Sequence, residues 1–247
     1  MKLLESFSPV SLADLDVVSL LHRVDSKYLL SLPQLERFLS SVAGGYQILT
    51  IDGRSCFCYR TLYYDTDRFS LYHDHHNGKR GRYKVRAREY IDSGLCFDEV
   101  KFKDNRGKTH KYRARRGSFS WRADGAFTAF VRERFPLDPA LLAPRVAVTY
   151  NRFTFTDIHR SERMTVDTGV VFHASGGKAP LGDVAIVELK QERGRMATAA
   201  ALALRELRIR CVGCSKYCLG VVSLCEGVKK NRFKNTIRYI SKLSEAA

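Results

Sequence analysis

Carboxylates are what this 247-residue sequence lacks most for its charge: 26 Asp and Glu stand against 42 Lys and Arg, a formal net charge of +16. Such a surplus implies an anionic partner, whether nucleic acid, an acidic membrane surface or a phosphorylated small molecule or polymer. No apolar run approaches the roughly 18 residues that a membrane span needs. The opening "MKLLESFSPV" has no apolar stretch of signal-peptide length, so a cytoplasmic protein without a membrane span is expected. Internal repeats, low-complexity tracts and linkers are missing too, and one domain over residues 1–247 is the simplest organisation. With 45% hydrophobic residues the chain has ample material for a core, which excludes disorder.

Nucleophile and metal signals are also thin. Seven cysteines, an odd number in a chain without a secretion signal, predict reduced thiols. "CVGC" (Cys211 to Cys214) has zinc-knuckle spacing but no second pair to complete a site, and buried helix-packing cysteines are the alternative. "HDHH" (His73 to His76) suggests a metal but precedes the turn signal "NGK", which favours a solvated loop. No Ser-His-Asp or Cys-His constellation is present.

What the sequence does have is strand periodicity. After a helical first 45 residues, interrupted by the strand-like "HRVDSKYLL", come "YQILTI", "CYRTLYYDT", "GRYKVRAREY", "LCFDEVKFKD", "THKYRARR", "RVAVTYNRFTFT", "RMTVDTGVVFH" and "VAIVELK". Helices are expected at "DRFSLYHDHH" and "DGAFTAFVRERF", and again through the last third. This pattern predicts an α+β fold: an antiparallel sheet of about eight strands with helices packed around it, a number that can close into a barrel.

The alternation carries charge. In "RGRYKVRAREY" the cations Arg80, Arg82, Lys84, Arg86 and Arg88 occupy every second position, so in a strand they share one face. Lys27, Lys101, Lys111, Arg113, Arg152, Arg163 and Lys190 repeat the arrangement on other strands. A single striped strand reads as a solvated outer face. Surfaces normally mix both signs, however, and a dozen cations with few carboxylates suit a lumen that receives a polyanion. Arg offers phosphate bidentate hydrogen bonds and Lys a mobile point charge. A carboxylate in such a cage needs a divalent cation between itself and the phosphates. Glu188 is the first candidate and Glu99 and Asp167 the next, with ion pairing to a neighbouring Arg as the alternative for each. Tyr83, Tyr90, Phe97, Phe102 and Tyr112 could stack bases as in a single-strand binder, but their placement opposite the cations suits a core better.

The ordered set "RVDSKY", "LYYDT", "RYKVRARE", "DEVKFK", "VTYNRF", "RMTVDT", "AIVELK" and "CSKYCLG" resembles the VTC domain. This is the polyphosphate polymerase domain of the vacuolar transporter chaperone, within the triphosphate tunnel metalloenzyme (CYTH-like) superfamily. The resemblance implies an eight-stranded antiparallel tunnel β-barrel with flanking helices. It also implies transfer of the γ-phosphate of ATP to a growing inorganic polyphosphate chain, with Mn²⁺ or Mg²⁺ as cofactor. By motif, Lys27, Arg86, Arg88, Lys101, Lys111, Tyr150, Arg152, Arg163, Lys190 and Lys216 resemble the phosphate ligands, and Glu188 the metal ligand. Arg86, Arg88, Lys101 and Lys216 would act on the transferred group. Lys216 lies on a helix expected to plug one tunnel mouth.

Two departures qualify the match. The superfamily's ExExK pattern is here Arg23-Val24-Asp25-Ser26-Lys27, as in the polymerase branch, which argues against a thiamine-triphosphatase or adenylate-cyclase type. A stand-alone domain is expected, without the phosphate-sensing domain and membrane helices of the fungal complexes. The rivals are a tripolyphosphatase or nucleoside triphosphatase on the same scaffold, and a non-catalytic polyanion- or RNA-binding module; nucleic acid is the less expected partner.

Overall fold

The computed structural model describes residues 2–16, 23–159, 162–192 and 197–245. Its strands are β1 (Ser8–Val10), β2 (Arg23–Ser31), β3 (Tyr46–Leu49), β4 (Phe57–Asp65), β5 (Arg82–Tyr90), β6 (Leu95–Lys103), β7 (Thr109–Arg116), β8 (Ala143–Asp157), β9 (Glu162–Ala174), β10 (Gly177–Pro180) and β11 (Val184–Glu192). The helices are α1 (Leu12–Asp16), α2 (Leu32–Val42), α3 (Ser70–His76), α4 (Gly125–Arg132), α5 (Ala199–Glu206), α6 (Lys216–Leu224) and α7 (Lys234–Glu245). The rest of the helix expected from "SLADLDVVSLLHR" lies outside the described residues.

All strands join one sheet, whose main path runs β2-β11-β9-β8-β4-β5-β6-β7 with antiparallel neighbours. β3 and β10 attach at the sides, and β1 pairs parallel with β3. The expected antiparallel sheet is therefore present, with an eight-strand main path, but the expected barrel is not closed: among the described residues β2 and β7 share no pairing. The edge of β2 is occupied instead. Val212 N–H donates to the Lys27 carbonyl at 2.7 Å, and the Tyr239 hydroxyl on α7 donates to the Leu29 carbonyl at 3.4 Å. These donors come from far along the chain, beyond anything strand periodicity reports.

The open sheet is nonetheless strongly curled. Lys84 on β5 and Lys27 on β2 are five strands apart along the path, about 24 Å if the sheet were flat. Yet Lys84 donates to Ser215 (3.0 Å), and Val212, only three residues before Ser215, donates to the Lys27 carbonyl (2.7 Å), so the sheet bends into a trough.

Period-two alternation decides what lines it. Alternate residues of β2, β11, β9 and β8 (Leu30, Val187, Met164, Phe155) pack outward under α2 and α5. Leu62, Val85, Ala87 and Val100 pack outward under α4. The neighbours of those residues point into the trough. α2 begins where the sequence indicates: Ser31 and Gln34 form a reciprocal cap, with Pro33 in the first turn.

One end of the trough is filled. α6 lays Tyr217, Leu219, Val221 and Val222 against Leu29, Val146, Phe172 and Ile186. Gly220 makes this approach possible, since a Cβ there would stand 2.6 Å from Val146. Asp65, fully buried at the end of β4, accepts from the Tyr217 hydroxyl (2.5 Å) and from the backbone N–H groups of Leu71 (2.9 Å) and Tyr72 (2.8 Å), tying α6 and α3 to one point. "HDHH" is the end of α3 with His76 buried, not a solvated loop. The cysteines are free; Cys214 and Cys218 are buried beside or on α6, whereas Cys211 is exposed in the preceding loop rather than packed in a helix.

Candidate phosphate-binding site

Strand register gathers the striped cations. Glu188 stands opposite Lys27 and Thr165, Asp167 opposite Arg152, Arg86 opposite Glu99, and Lys101 opposite both Lys84 and Lys111. Three carboxylates organise them. Glu99, wholly buried, takes Arg86 (2.5 Å), Lys111 (2.6 Å) and Arg113 (3.0 Å). Asp167 takes Arg152 in two parallel bonds of 2.6 and 2.8 Å and also accepts from Lys216 on α6. Glu188 takes Lys27 (2.8 Å) and Lys190 (3.2 Å).

Burial opposes ionisation of each acid, but the surrounding cations prevail. Arg86, Arg88 and Lys111 hold Glu99 well below the usual carboxylate range. Arg152 and Lys216 hold Asp167 at about 2, and Lys190 and Lys27 depress Glu188 in the same way. All three are charged at neutral pH, and all three are consumed by ion pairs.

Cations remain in excess. Arg88 is buried, with its Nε donating to Thr61 Oγ1 at 3.3 Å, and no carboxylate lies within ion-pair distance among the described residues. Lys84 donates to Ser215 Oγ at 3.0 Å; burial first, then Lys27, Arg86 and Arg82, bring its ammonium down to about 8. Lys101 lies against Arg86, Arg88 and Lys111, whose repulsion together with burial pulls it well below its normal range. Burial also lowers Lys111 to about 8, despite its contact with Glu99. A set of cations this close, partly discharged by mutual repulsion, is a site built for added negative charge.

Tyr150 shares the face. Its buried hydroxyl has no hydrogen-bond partner among the described residues, and its ring lies between Tyr59 (5.3 Å, stacked) and the ammonium of Lys216 (4.5 Å). Burial would raise the phenol, but Arg88, Arg152 and Lys216 bring it below its normal value.

Of the residues nominated from the sequence, Lys27, Arg86, Arg88, Lys101, Lys111, Tyr150, Arg152, Glu188, Lys190 and Lys216 face one trough. Arg163 shares their register but donates to the Leu15 carbonyl at the rim. Glu99 and Asp167 follow the ion-pair reading rather than the metal one. Lys84, Arg113 and Ser215 were not nominated from the family motifs. The first two belong to stripes that single them out in hindsight, whereas Ser215 carries no local signal.

One sequence reading is corrected. Tyr83, Phe102 and Tyr112 do lie on the outer face, where they line a cleft of about 510 Å³ with Arg134 and Phe135. Tyr90 and Phe97, by contrast, fall in phase with Arg88 and Glu99 and face the trough. Among the described residues no three His, Cys, Asp or Glu converge as a metal cage, and no helix is long and apolar enough to cross a membrane.

Three solved structures are similar to this chain. HpAC1 from Hippeastrum, an adenylyl cyclase candidate with a dominant triphosphatase activity, superposes with a TM-score of 0.50 over 83% of this chain and 98% of its own, at 13% identity. An adenylate cyclase candidate from Vibrio parahaemolyticus gives 0.45 over 80% and 97%, also at 13% identity. The PH1819 protein of Pyrococcus horikoshii gives 0.44 over 80% and 97%, at 12% identity. No curated protein matches the sequence. The VTC domain matches residues 22–118 and 136–225, the segments that carry the sheet and α6, and on that match the chain belongs to the VTC domain family.

Proposed function

We propose that the trough binds the phosphates of ATP and passes the γ-phosphoryl group to the end of an inorganic polyphosphate chain. The observation that carries this reading is the excess of buried cations once every trough carboxylate has been paired. Lys84 and Lys101 stand opposite each other, Lys101 is also crowded by Arg88, and among the described residues none of the three has a carboxylate within ion-pair distance, a strain that an anionic ligand relieves. Phosphoryl transfer asks the protein for position and charge stabilisation rather than a covalent nucleophile, and the site offers none.

Arg86 and Arg88 would grip the phosphate row, Lys101 and Lys111 would follow the transferred group, and Lys27 and Lys190 would hold the opposite wall. Arg152, with Tyr150 donating its free hydroxyl, would fix the chain beside Lys216. Arg163 would meet it at the rim. Mn²⁺ or Mg²⁺ would be shared between substrate oxygens and Glu188, with Asp25 in the same phase of the neighbouring strand, once phosphate draws Lys27 and Lys190 away from them. Such ions are commonly held by one or two carboxylates plus substrate oxygens. When bound there, the ion would neutralise charge building on the phosphoryl oxygens.

Hydrolysis is the second reading, because HpAC1, which shares the fold, has a dominant triphosphatase activity. Incubation with ATP and Mn²⁺, assaying long-chain polyphosphate and free phosphate together, separates the two. Polymer is the expected product. Free phosphate alone makes water the acceptor, and product formation undiminished in EDTA removes the metal.

A further inference from the structure

The trough has two unlike ends. α6 seals one with apolar side chains, and Lys84 meets Ser215 there. Six residues along β5, about 20 Å away at strand rise, the same face ends in Tyr90. Its ring meets Phe97 of β6 edge to face (5.9 Å) and Tyr59 of β4 at 4.9 Å. Over Phe97, with its guanidinium carbon 4.5 Å from the ring centre, lies Arg113 of β7.

Arg113 is not a loose surface cation. It donates to Glu99 at 3.0 and 3.1 Å and to the Tyr90 hydroxyl at 3.0 Å. The guanidinium is thus held over the Phe97 ring and tethered by Glu99 and Tyr90, while the side chain stays 37% exposed. A planar, partly exposed cation beside aromatic rings is a stacking surface for a heteroaromatic ring. The phosphate-gripping Arg86 shares Glu99 with it, so a molecule whose ring rests on Arg113 enters the cationic row phosphates first.

We propose that Phe97, Arg113 and Tyr90 form the nucleobase subsite of the trough, which orients a nucleoside triphosphate with its base at the open end and its phosphates toward α6. This rests on the reading of the trough as a nucleoside triphosphate site. It adds a direction of entry and a preference for nucleotides over bare polyphosphate as the incoming donor.

The test compares ATP with inorganic tripolyphosphate by calorimetry in the full chain, for wild type, Phe97→Ala and Arg113→Lys. Arg113→Lys keeps the charge on Glu99 but removes the plane. Base stacking lost on alanine substitution corresponds to about tenfold or more in affinity. The ratio of ATP to tripolyphosphate affinity should therefore fall by about tenfold in Phe97→Ala and by several-fold in Arg113→Lys. A ratio unchanged in both folded variants, or the same loss for both ligands, overturns the subsite and leaves the phosphate site standing. Failure of wild type to bind tripolyphosphate at all overturns the phosphate site itself, and the subsite with it.

Discussion

Asp98 and Glu99 are neighbours on β6, both buried, and they point to opposite sides of the sheet. Asp98 faces outward to Arg116 (3.2 Å), which also donates to the Tyr64 hydroxyl and the Arg122 carbonyl. There burial prevails over one guanidinium, and the carboxyl is pushed up to about 6. Glu99 faces the trough, where three cations within 3 Å overcome the same penalty and hold it far down. What separates the two is the number of counter-charges rather than depth. The outer pair is a local tie in a low-dielectric wall; the inner acid is the minority charge in a field of cations.

The largest expected effect sharpens that contrast. Glu99→Gln strips the counter-ion from Arg86, Lys111 and Arg113, and breaking a buried ion network this way costs about 3–5 kcal/mol. Urea unfolding should show that loss, and tripolyphosphate should restore much of it by supplying the missing charge. Asp98→Asn should show no such rescue; a ligand rescue of equal size in both variants would erase the distinction.

Next comes pH. A carboxyl raised on folding binds its proton more tightly in the native state, so Asp98 stabilises below the unfolded value near 4 and loses that contribution as pH rises through about 6. Glu99 is lowered, so its contribution is full above the unfolded value near 4.5 and is lost as pH falls below it. Between pH 4.5 and 6.5 stability should decline with pH by about 2 kcal/mol on Asp98's account. Melting profiles of Asp98→Asn should lack this decline while keeping the acid-side loss.

The smallest effect is proton uptake. Lys84 and Lys111, each near 8 in the empty trough, regain full charge beside bound phosphate. At pH 8 tripolyphosphate binding should take up at least one proton, as two half-charged amines and the discharged Lys101 imply. Calorimetry in buffers of different ionisation heat reads this directly, and the share taken up by Lys84 and Lys111 should fade as pH drops below about 8. Uptake independent of pH would mean the two lysines are not the groups involved.

Much of this was legible in the sequence, and the reason is geometric. Alternation in "RYKVRARE" assigns Arg86 and Arg88 to one face and Val85 and Ala87 to the other whatever the partners, and the structure buries Val85 and Ala87 under α4. "THKYRARR" is β7, residue for residue. Pairing was not legible. Nothing local distinguishes Glu99, with three cations, from Asp98, with one, since the difference depends on β5 and β7 in register. The covering of the β2 edge depends on Val212 and Tyr239, the latter 210 residues from its acceptor. Tyr90 and Phe97 depart from the placement expected opposite the cations: Tyr90 follows Arg88 by two residues and Phe97 precedes Glu99 by two, so both share the cation face.

The unpaired edge at β7 has a cost that no ligand appears in. Its main-chain donors and acceptors form a row that another molecule's strand could extend, the usual route from sheet edge to aggregate. Lys111, Arg113, Arg115 and Arg116 crowd that strand with like charge, which repels a second copy approaching edge to edge. The side chains that suit the trough to phosphate thus also keep the molecule colloidally separate. A polyanion that neutralises them would loosen that protection, so trough occupancy and resistance to aggregation draw on the same few residues.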